Sequence, residues 1–213
     1  MEFRILGPLE VARNGAVITI GGGKQRALLA LLLLRRNQIV PTDALIEELW
    51  HGSPPATAGK IVQLYVSRLR KALGDDVLVT RSPGYTLRVE PEEVDADRAE
   101  RLLAEGRRAL AEGVPAAAAS SLREALGLWR GPPFADFAYE DFAQQEIGRL
   151  EEVRLAALEE RIEARPGPGP ARRGRRRGRD PRQPAPAAGA PSRPACARAL
   201  PVRPPGGSAR HAA

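Results

Sequence analysis

Between residues 57 and 81 the sequence gathers cations, an amide, a hydroxyl and an aromatic at spacings that could hold a polyanion. With successive residues set about 100° apart, Lys60, Gln63, Leu64, Ser67, Arg68 and Lys71 share one half of a helical cylinder, and Tyr65 and Arg70 sit at its margins. Val62, Val66, Leu69 and Leu73 form a narrow stripe on the other half, the signature of a face that packs inward. Long cations on the outer half can meet phosphate oxygens. Gln63 and Ser67 can reach base edges, and Leu64 can meet a thymine methyl. From Lys60 to Arg88 six basic residues (Lys60, Arg68, Arg70, Lys71, Arg81, Arg88) face only Asp75 and Asp76. Charge alone is equally consistent with a solvated face.

Other chemistry finds no site. One cysteine, Cys196, excludes a disulfide framework and a multi-cysteine metal cluster. The two histidines, His51 and His211, lie far apart, so no metal or cofactor is expected. Gly21-Gly22-Gly23 precedes Lys24-Gln25, whereas a phosphate-binding loop needs Lys followed by Ser or Thr. Glu47-Glu48 and Asp75-Asp76 are adjacent like charges suited to a helix surface and a turn, not to acid–base work. No enzyme is expected. The longest apolar run, Ala27–Leu34, is well short of the roughly 18 residues a membrane span needs. The start, MEFRILGPLEV, lacks the features of a secretory signal, so a cytoplasmic protein without a membrane partner is the expectation.

The elements that must position the cationic half are readable in order. FRILGPLEV (3–11) and NGAVITI (14–20) read as two strands joined at Asn14-Gly15. KQRALLALLLLRR (24–36) is a helix apolar on nearly every side. TDALIEELW (42–50) is a second, with Thr42 as its N-cap, Asp43 in its first turn and Leu45, Ile46 and Leu49 inward. The third runs from Thr57 or Ala58 to Leu73 and stops at Gly74. Leu78–Thr80 and Tyr85–Val89 then read as a hairpin around Arg81-Ser82-Pro83-Gly84. Three helices closed by such a hairpin are the winged-helix plan, in which the third helix lies in the major groove and Arg81 reaches the adjacent minor groove.

Residues 1–90 resemble the OmpR-type winged-helix DNA-binding domain. The resemblance rests on FRILGPLEV (3–11), KQRALLALLLLRRNQIV (24–40), LIEELW (45–50), VQLYVSRLRKALG (62–74) and TRSPGYTL (80–87). The pattern is similar to the amino terminus of the actinobacterial antibiotic regulatory proteins, transcription activators of biosynthetic pathways. The resemblance implies that the helix at Ala58–Leu73 reads double-stranded DNA and that the turn His51–Ala56 meets RNA polymerase.

Residues 95–164 are acidic, with 9 basic and 15 acidic side chains. Three helices are expected, over 96–113, from Pro115 to Gly131, and from near Phe137 to Ala164. Ala99, Leu102, Leu103, Gly106 and Leu110 line the first, and Ile147, Leu150, Leu155 and Leu158 the third. Small residues at 106 and 116–119 permit close helix approach, so the region reads as tetratricopeptide-like hairpins, with Trp129, Phe134 and Phe137 as packing residues. GRRALAEG, LREALGLWRGPPFAD and LEEVRLAALEERIEA resemble the bacterial transcriptional activator domain that follows the DNA-binding domain in these regulators.

In residues 165–213, 41 of 49 positions are Arg, Ala, Pro or Gly, and only Leu200 and Val202 represent Leu, Ile, Val and Phe. Such a segment cannot build a core and is expected to be disordered. Its 12 basic and one acidic residues account for the basicity of the whole chain. With 30 Arg to 3 Lys, the makeup fits an alternative frame of a GC-rich gene, which would truncate the helical domain near residue 164.

The expected organisation is therefore an α+β winged helix with an N-terminal hairpin (1–94), a truncated all-α tetratricopeptide-like domain (95–164) and a disordered tail (165–213). The expected function is sequence-specific DNA-binding transcriptional regulation, with two protomers on tandem sites about one helical turn apart. Lys60, Gln63, Leu64, Tyr65, Ser67, Arg68, Arg70, Lys71 and Arg81 are the candidate contacts. Two readings stand beside it: a protein–protein adaptor that has lost DNA binding, and a remnant that binds DNA without activating.

Overall fold

The computed structural model describes residues 1–164. The tail reading falls outside the described residues.

Strands β1 (Glu2–Arg4), β2 (Glu10–Arg13) and β3 (Ala16–Ile18) form an antiparallel sheet in that order. Asn14 and Gly15 turn β2 into β3 with φ of 52° and 82°, the left-handed pair an Asn-Gly hairpin uses. The stretch 3–11, expected as one strand, is two strands folded back on each other. Pro8 has no N–H to give a ladder. The Ile5 and Leu6 N–H groups donate instead to the Asp95 carboxylate, at 2.8 and 3.1 Å.

Helix α1 (Gly23–Leu34) is buried continuously from Ala27 to Leu33, as its all-round apolar sequence requires. Strand β4 (Val40–Pro41) follows, then α2 (Thr42–Trp50), which buries Leu45 and Leu49. Thr42 does not cap α2. Pro41 holds the cap position, and the Thr42 hydroxyl and N–H both donate to the Pro83 carbonyl at 3.2 Å. Helix α3 (Ala58–Leu73) ends at Gly74, whose φ of 112° suits glycine. Strands β5 (Leu78–Arg81) and β6 (Gly84–Leu87) pair with Leu78 opposite Leu87 and Arg81 opposite Gly84. Together with β4 they make a sheet in the order β4-β6-β5, so the hairpin is anchored through a strand that the sequence pattern does not announce.

Gly84 is fixed by that anchor. A Cβ there would overlap the carbonyl of Val40 on β4. Gly84→Ala must part β4 from β6 and is expected to cost about 3 kcal/mol, at the upper end of overpacking changes. A shift of the urea midpoint measures this, and an unchanged midpoint would contradict the pairing. On the far side, the Asn37 side chain donates to Val89 O at 2.7 Å and accepts from Val89 N at 3.1 Å, fastening the base of the hairpin.

The helical region comprises α4 (Asp95–Ala111), α5 (Pro115–Gly127) and α6 (Asp141–Glu163). α4 and α5 form a hairpin in which a Cβ on Gly106 would stand 2.8 Å from Leu122, so glycine permits the close crossing. α5 stops four residues before Gly131, because the following backbone is engaged elsewhere. Arg130 N donates to Leu6 O at 2.7 Å and Phe134 N to Ile5 O at 2.9 Å. Phe134 takes φ of 49°, and a single 3₁₀ turn (Ala135–Phe137) precedes α6, which therefore begins at Asp141 and not near Phe137. Phe134 and Phe137 are buried and Trp129 packs against the core, as expected of packing residues.

Leu155 departs from its expected place. α6 buries Ala143, Leu150 and Ala157, a seven-residue repeat whose two alanines let it lie close, and this leaves Leu155 58% exposed. Arg149 on α6 binds Glu100 on α4 at 2.5 Å, and Arg107 on α4 binds Glu160 on α6 at 2.6 Å.

One apolar core crosses residue 94. It contains the inward sides of α1, α2, α3 and both sheets together with Val94, Ala96, Ala99, Phe134, Phe137, Ala143 and Leu150. A smaller cluster of Leu103, Ala118, Leu122, Ala157 and Ala164 lies within the helical hairpins. Asp95 sits at the junction, only 6% exposed, with Arg130 at 4.0 Å. Burial pushes its carboxyl above the usual aspartate value, opposed by the bonds from Ile5 and Leu6. The folded protein therefore holds this proton more tightly than the unfolded chain. The contribution of Asp95 to stability rises as pH falls through its folded pKa and declines as pH rises through it. Carboxyl-carbon NMR should show Asp95 titrating above the ordinary aspartate value; a midpoint at or below that value would contradict its burial.

Candidate nucleic-acid interface

Helix α3 is held from three sides. Val62, Val66, Leu69 and Leu73 are each no more than 2% exposed and face α1 and α2. Burial of four such side chains contributes about 1.5–3 kcal/mol each. Arg13 on β2 donates to Leu73 O at 2.5 Å, placing a cation at the carbonyl end of α3, where the helix dipole favours it. Lys24 donates to Leu49 O at 2.6 Å and lies 5.7 Å from the Trp50 ring, which fixes the end of α2 just before the turn into α3. His51 closes α2 in a left-handed conformation, and its Nε2 lies 3.1 Å from Glu140 Oε2.

The opposite half of α3 is open. Lys60, Gln63, Leu64, Ser67, Arg68 and Lys71 are exposed, and Tyr65 and Arg70 are half-buried at the margins. Arg81 is exposed at the tip of the hairpin. Eight of the nine candidate residues thus present one helical surface, and the ninth stands on the wing beside it. Arg70 differs from its neighbours. Its Nε donates to Leu78 O and its Nη2 to the Thr80 hydroxyl, both at 2.7 Å, so it ties α3 to β5.

Most arginines elsewhere among the described residues have a carboxylate partner, and the cations of this face do not. Arg4, Arg26, Arg36, Arg101, Arg107, Arg130 and Arg149 all pair with carboxylates. Among the described residues no salt bridge involves Lys60, Arg68, Arg70, Lys71, Arg81 or Arg88. Cations left unpaired on one surface give a field that a polyanion can neutralise.

The residues that seat the helical region carry no comparable sequence signal. Asp136 accepts from Leu9 N at 2.9 Å and pairs with Arg26. Arg130 donates to Pro8 O at 3.0 Å and pairs with Glu10 at 3.0 Å. These contacts span more than a hundred residues of chain, and neither composition nor periodicity marks them.

An N-terminal sheet, three helices and an anchored wing, continued by helical hairpins on a shared core, define a protein of the winged-helix class with an all-α continuation. Residues 19–87 match the family model described as the C-terminal domain of transcriptional regulatory proteins, and residues 94–177 match the bacterial transcriptional activator domain. The transcriptional regulatory protein MoaR1 of Mycobacterium tuberculosis is 40% identical over 162 residues, covering 73% of this chain and 52% of the relative. The regulatory protein DnrI of Streptomyces peucetius is 39% identical over 76% of this chain and 64% of its own length. A solved structure of M. tuberculosis EmbR in complex with a low-affinity phosphopeptide superposes with a TM-score of 0.73 at 36% identity, covering 76% of this chain and 45% of that one. The chain belongs to the family of actinobacterial antibiotic regulatory proteins, with an OmpR-type winged helix followed by a bacterial transcriptional activator region. Proteins of this family are transcriptional regulators and not enzymes. The chain spans about half the length of the mycobacterial MoaR1 relatives. No described helix is long and apolar enough to cross a membrane.

Proposed function

We propose that this chain is a sequence-specific DNA-binding transcriptional regulator of pathway genes. The winged-helix unit at 1–94 docks α3 in the major groove, and the helical unit at 95–164 is carried rigidly behind it. Lys60, Arg68 and Lys71 meet phosphates or purine edges, and Gln63, Leu64, Tyr65 and Ser67 complete the base-reading surface. Arg81 reaches the adjacent minor groove. Arg70 positions the wing relative to α3 and lends its charge to the same surface. The turn at His51–Ala56, exposed and next to Glu140, is the surface for RNA polymerase. Two protomers occupy tandem sites. The observation that carries this reading is the unpaired, exposed cationic half of α3 opposite a fully buried apolar stripe.

Selection of bound fragments from random duplex DNA with the full chain tests it. A recurring motif, repeated at about one helical turn, is expected. Recovery without any sequence preference would refute it, and failure to recover DNA at all would favour the adaptor reading.

Leu155 and Ile162 favour a second reading, in which the protein binds DNA without activating. They are 58% and 66% exposed on one side of α6, an apolar surface that packed helical repeats normally cover. A promoter–reporter assay separates the two readings, because occupancy without transcription supports this one.

A further inference from the structure

We infer that the outer edge of the wing is a second DNA-backbone seat, centred on Arg88, beyond the recognition helix and the wing tip. The inference rests on the DNA-binding reading above and adds a contact to it. A depression of about 410 Å³ runs beside β5, lined by Arg70, Asp75, Val79, Thr80, Arg81 and Arg88. β5 is an edge strand of its sheet, so among the described residues no further strand covers this side.

The register explains how the cations meet there. Arg81 lies opposite Gly84 and Val79 opposite Thr86, and the Arg88 N–H continues the pairing by donating to Val77 O at 2.7 Å. Side chains of directly paired residues share a face, so Arg81, Val79, Thr86 and Arg88 stand on one side of the hairpin. Arg70 arrives from α3 on the other side and grips the strand edge at Leu78 O and Thr80. Arg88 has its backbone fixed in the sheet and its side chain exposed. Among the described residues Asp75 is the single carboxylate lining the depression, and it forms no salt bridge with any of the three arginines.

Arg70 is held against the strand edge, whereas the guanidinium groups of Arg81 and Arg88 are exposed and form no salt bridge among the described residues. They leave the edge a cationic path for a sugar–phosphate strand, and planar guanidinium suits phosphate better than ammonium does. The depression adjoins the last turn of α3, which carries Lys71, so a strand leaving the groove read by α3 can continue across it. Such a contact adds affinity and orientation but little sequence information.

Arg88→Gln and Arg88→Lys in the full chain test the seat, with dissociation constants measured over a series of KCl concentrations. The duplexes are a fragment recovered by selection and an unrelated sequence of equal length. The tail is the same in every variant, so its charge cancels from the comparison. Arg88→Gln should weaken binding to both duplexes alike, by about tenfold at moderate salt, and lower the salt slope by about one. Arg88→Lys should restore most of the slope, and the urea midpoint should stay at the wild-type value. Unchanged affinity and slope would overturn the seat, including the case in which transcription alone falls because the edge meets a protein. Loss confined to the selected fragment would also overturn it, since that would make Arg88 a base reader. Failure of the wild-type chain to select DNA would instead remove the underlying reading and this seat with it.

Discussion

Replacing Arg68 and Lys71 together by alanine lowers affinity for the selected DNA about a hundredfold, on the basis of about 1–3 kcal/mol per direct contact. Stability should not follow. Both side chains are exposed, neither forms a salt bridge among the described residues, and surface changes of this sort fall within about 0.5 kcal/mol. The measurement is a binding titration at fixed salt together with urea unfolding. Affinity equal to wild type with an intact fold would remove α3 from the interface. The same pair of measurements applied to Arg70→Ala should give a different result. Arg70 loses two bonds to the wing, so both stability and affinity should fall.

The second large effect lies on the opposite side of the same helix. Leu69→Asp places a carboxylate where the side chain is fully buried, in a core built around α1, α2 and α3. The loss of apolar burial adds to the cost of an unpaired buried charge, together about 5 kcal/mol or more. That approaches the whole stability of a typical domain. The cooperative urea transition of the winged-helix region should disappear, and DNA binding with it. Leu64→Asp is the companion change. Leu64 is 47% exposed, so the fold should survive while affinity falls through charge repulsion. A stable Leu69→Asp protein would show that α3 is rotated from the orientation described.

The contrast between Leu69 and Leu64 also shows why α3 was legible in its residues. A 16-residue helix with one apolar stripe encodes its own orientation, because the same periodicity that selects the buried face selects the exposed one. The β5–β6 hairpin was legible for a related reason, since strand formers flank Ser82-Pro83-Gly84. Long-range backbone pairing had no such local mark. The break at Gly7-Pro8, the short α5 and the late start of α6 all follow from Ile5, Leu6 and Gly7 bonding to Asp95, Arg130, Phe134 and Ala135. These partners are adjacent only once the chain is folded.

Leu155 illustrates a different limit. A helix with several leucines offers more than one apolar side, and the small residues Ala143 and Ala157 decide which side packs. For the candidate interface, periodicity separated Lys60, Arg68 and Lys71 from the core stripe and set Arg70 at the margin, but it carried no mark of the hydrogen bonds that turn Arg70 toward the wing. Arg88 was visible as a charge and invisible as a position, because its place on the same face of the hairpin as Arg81 depends on the register.

Placement of the outer half of α3 in the major groove is tested most directly by dimethyl sulfate protection on a selected fragment. The reagent methylates guanine N7 in the major groove and adenine N3 in the minor groove. The expected result is protection of guanine N7 within each half-site, lost in the Arg68→Ala, Lys71→Ala protein, with adenine N3 protected only beside it and exposed again by Arg81→Ala. Reactive guanine N7 throughout a fully occupied site would contradict the docking of α3 and the functional assignment built on it.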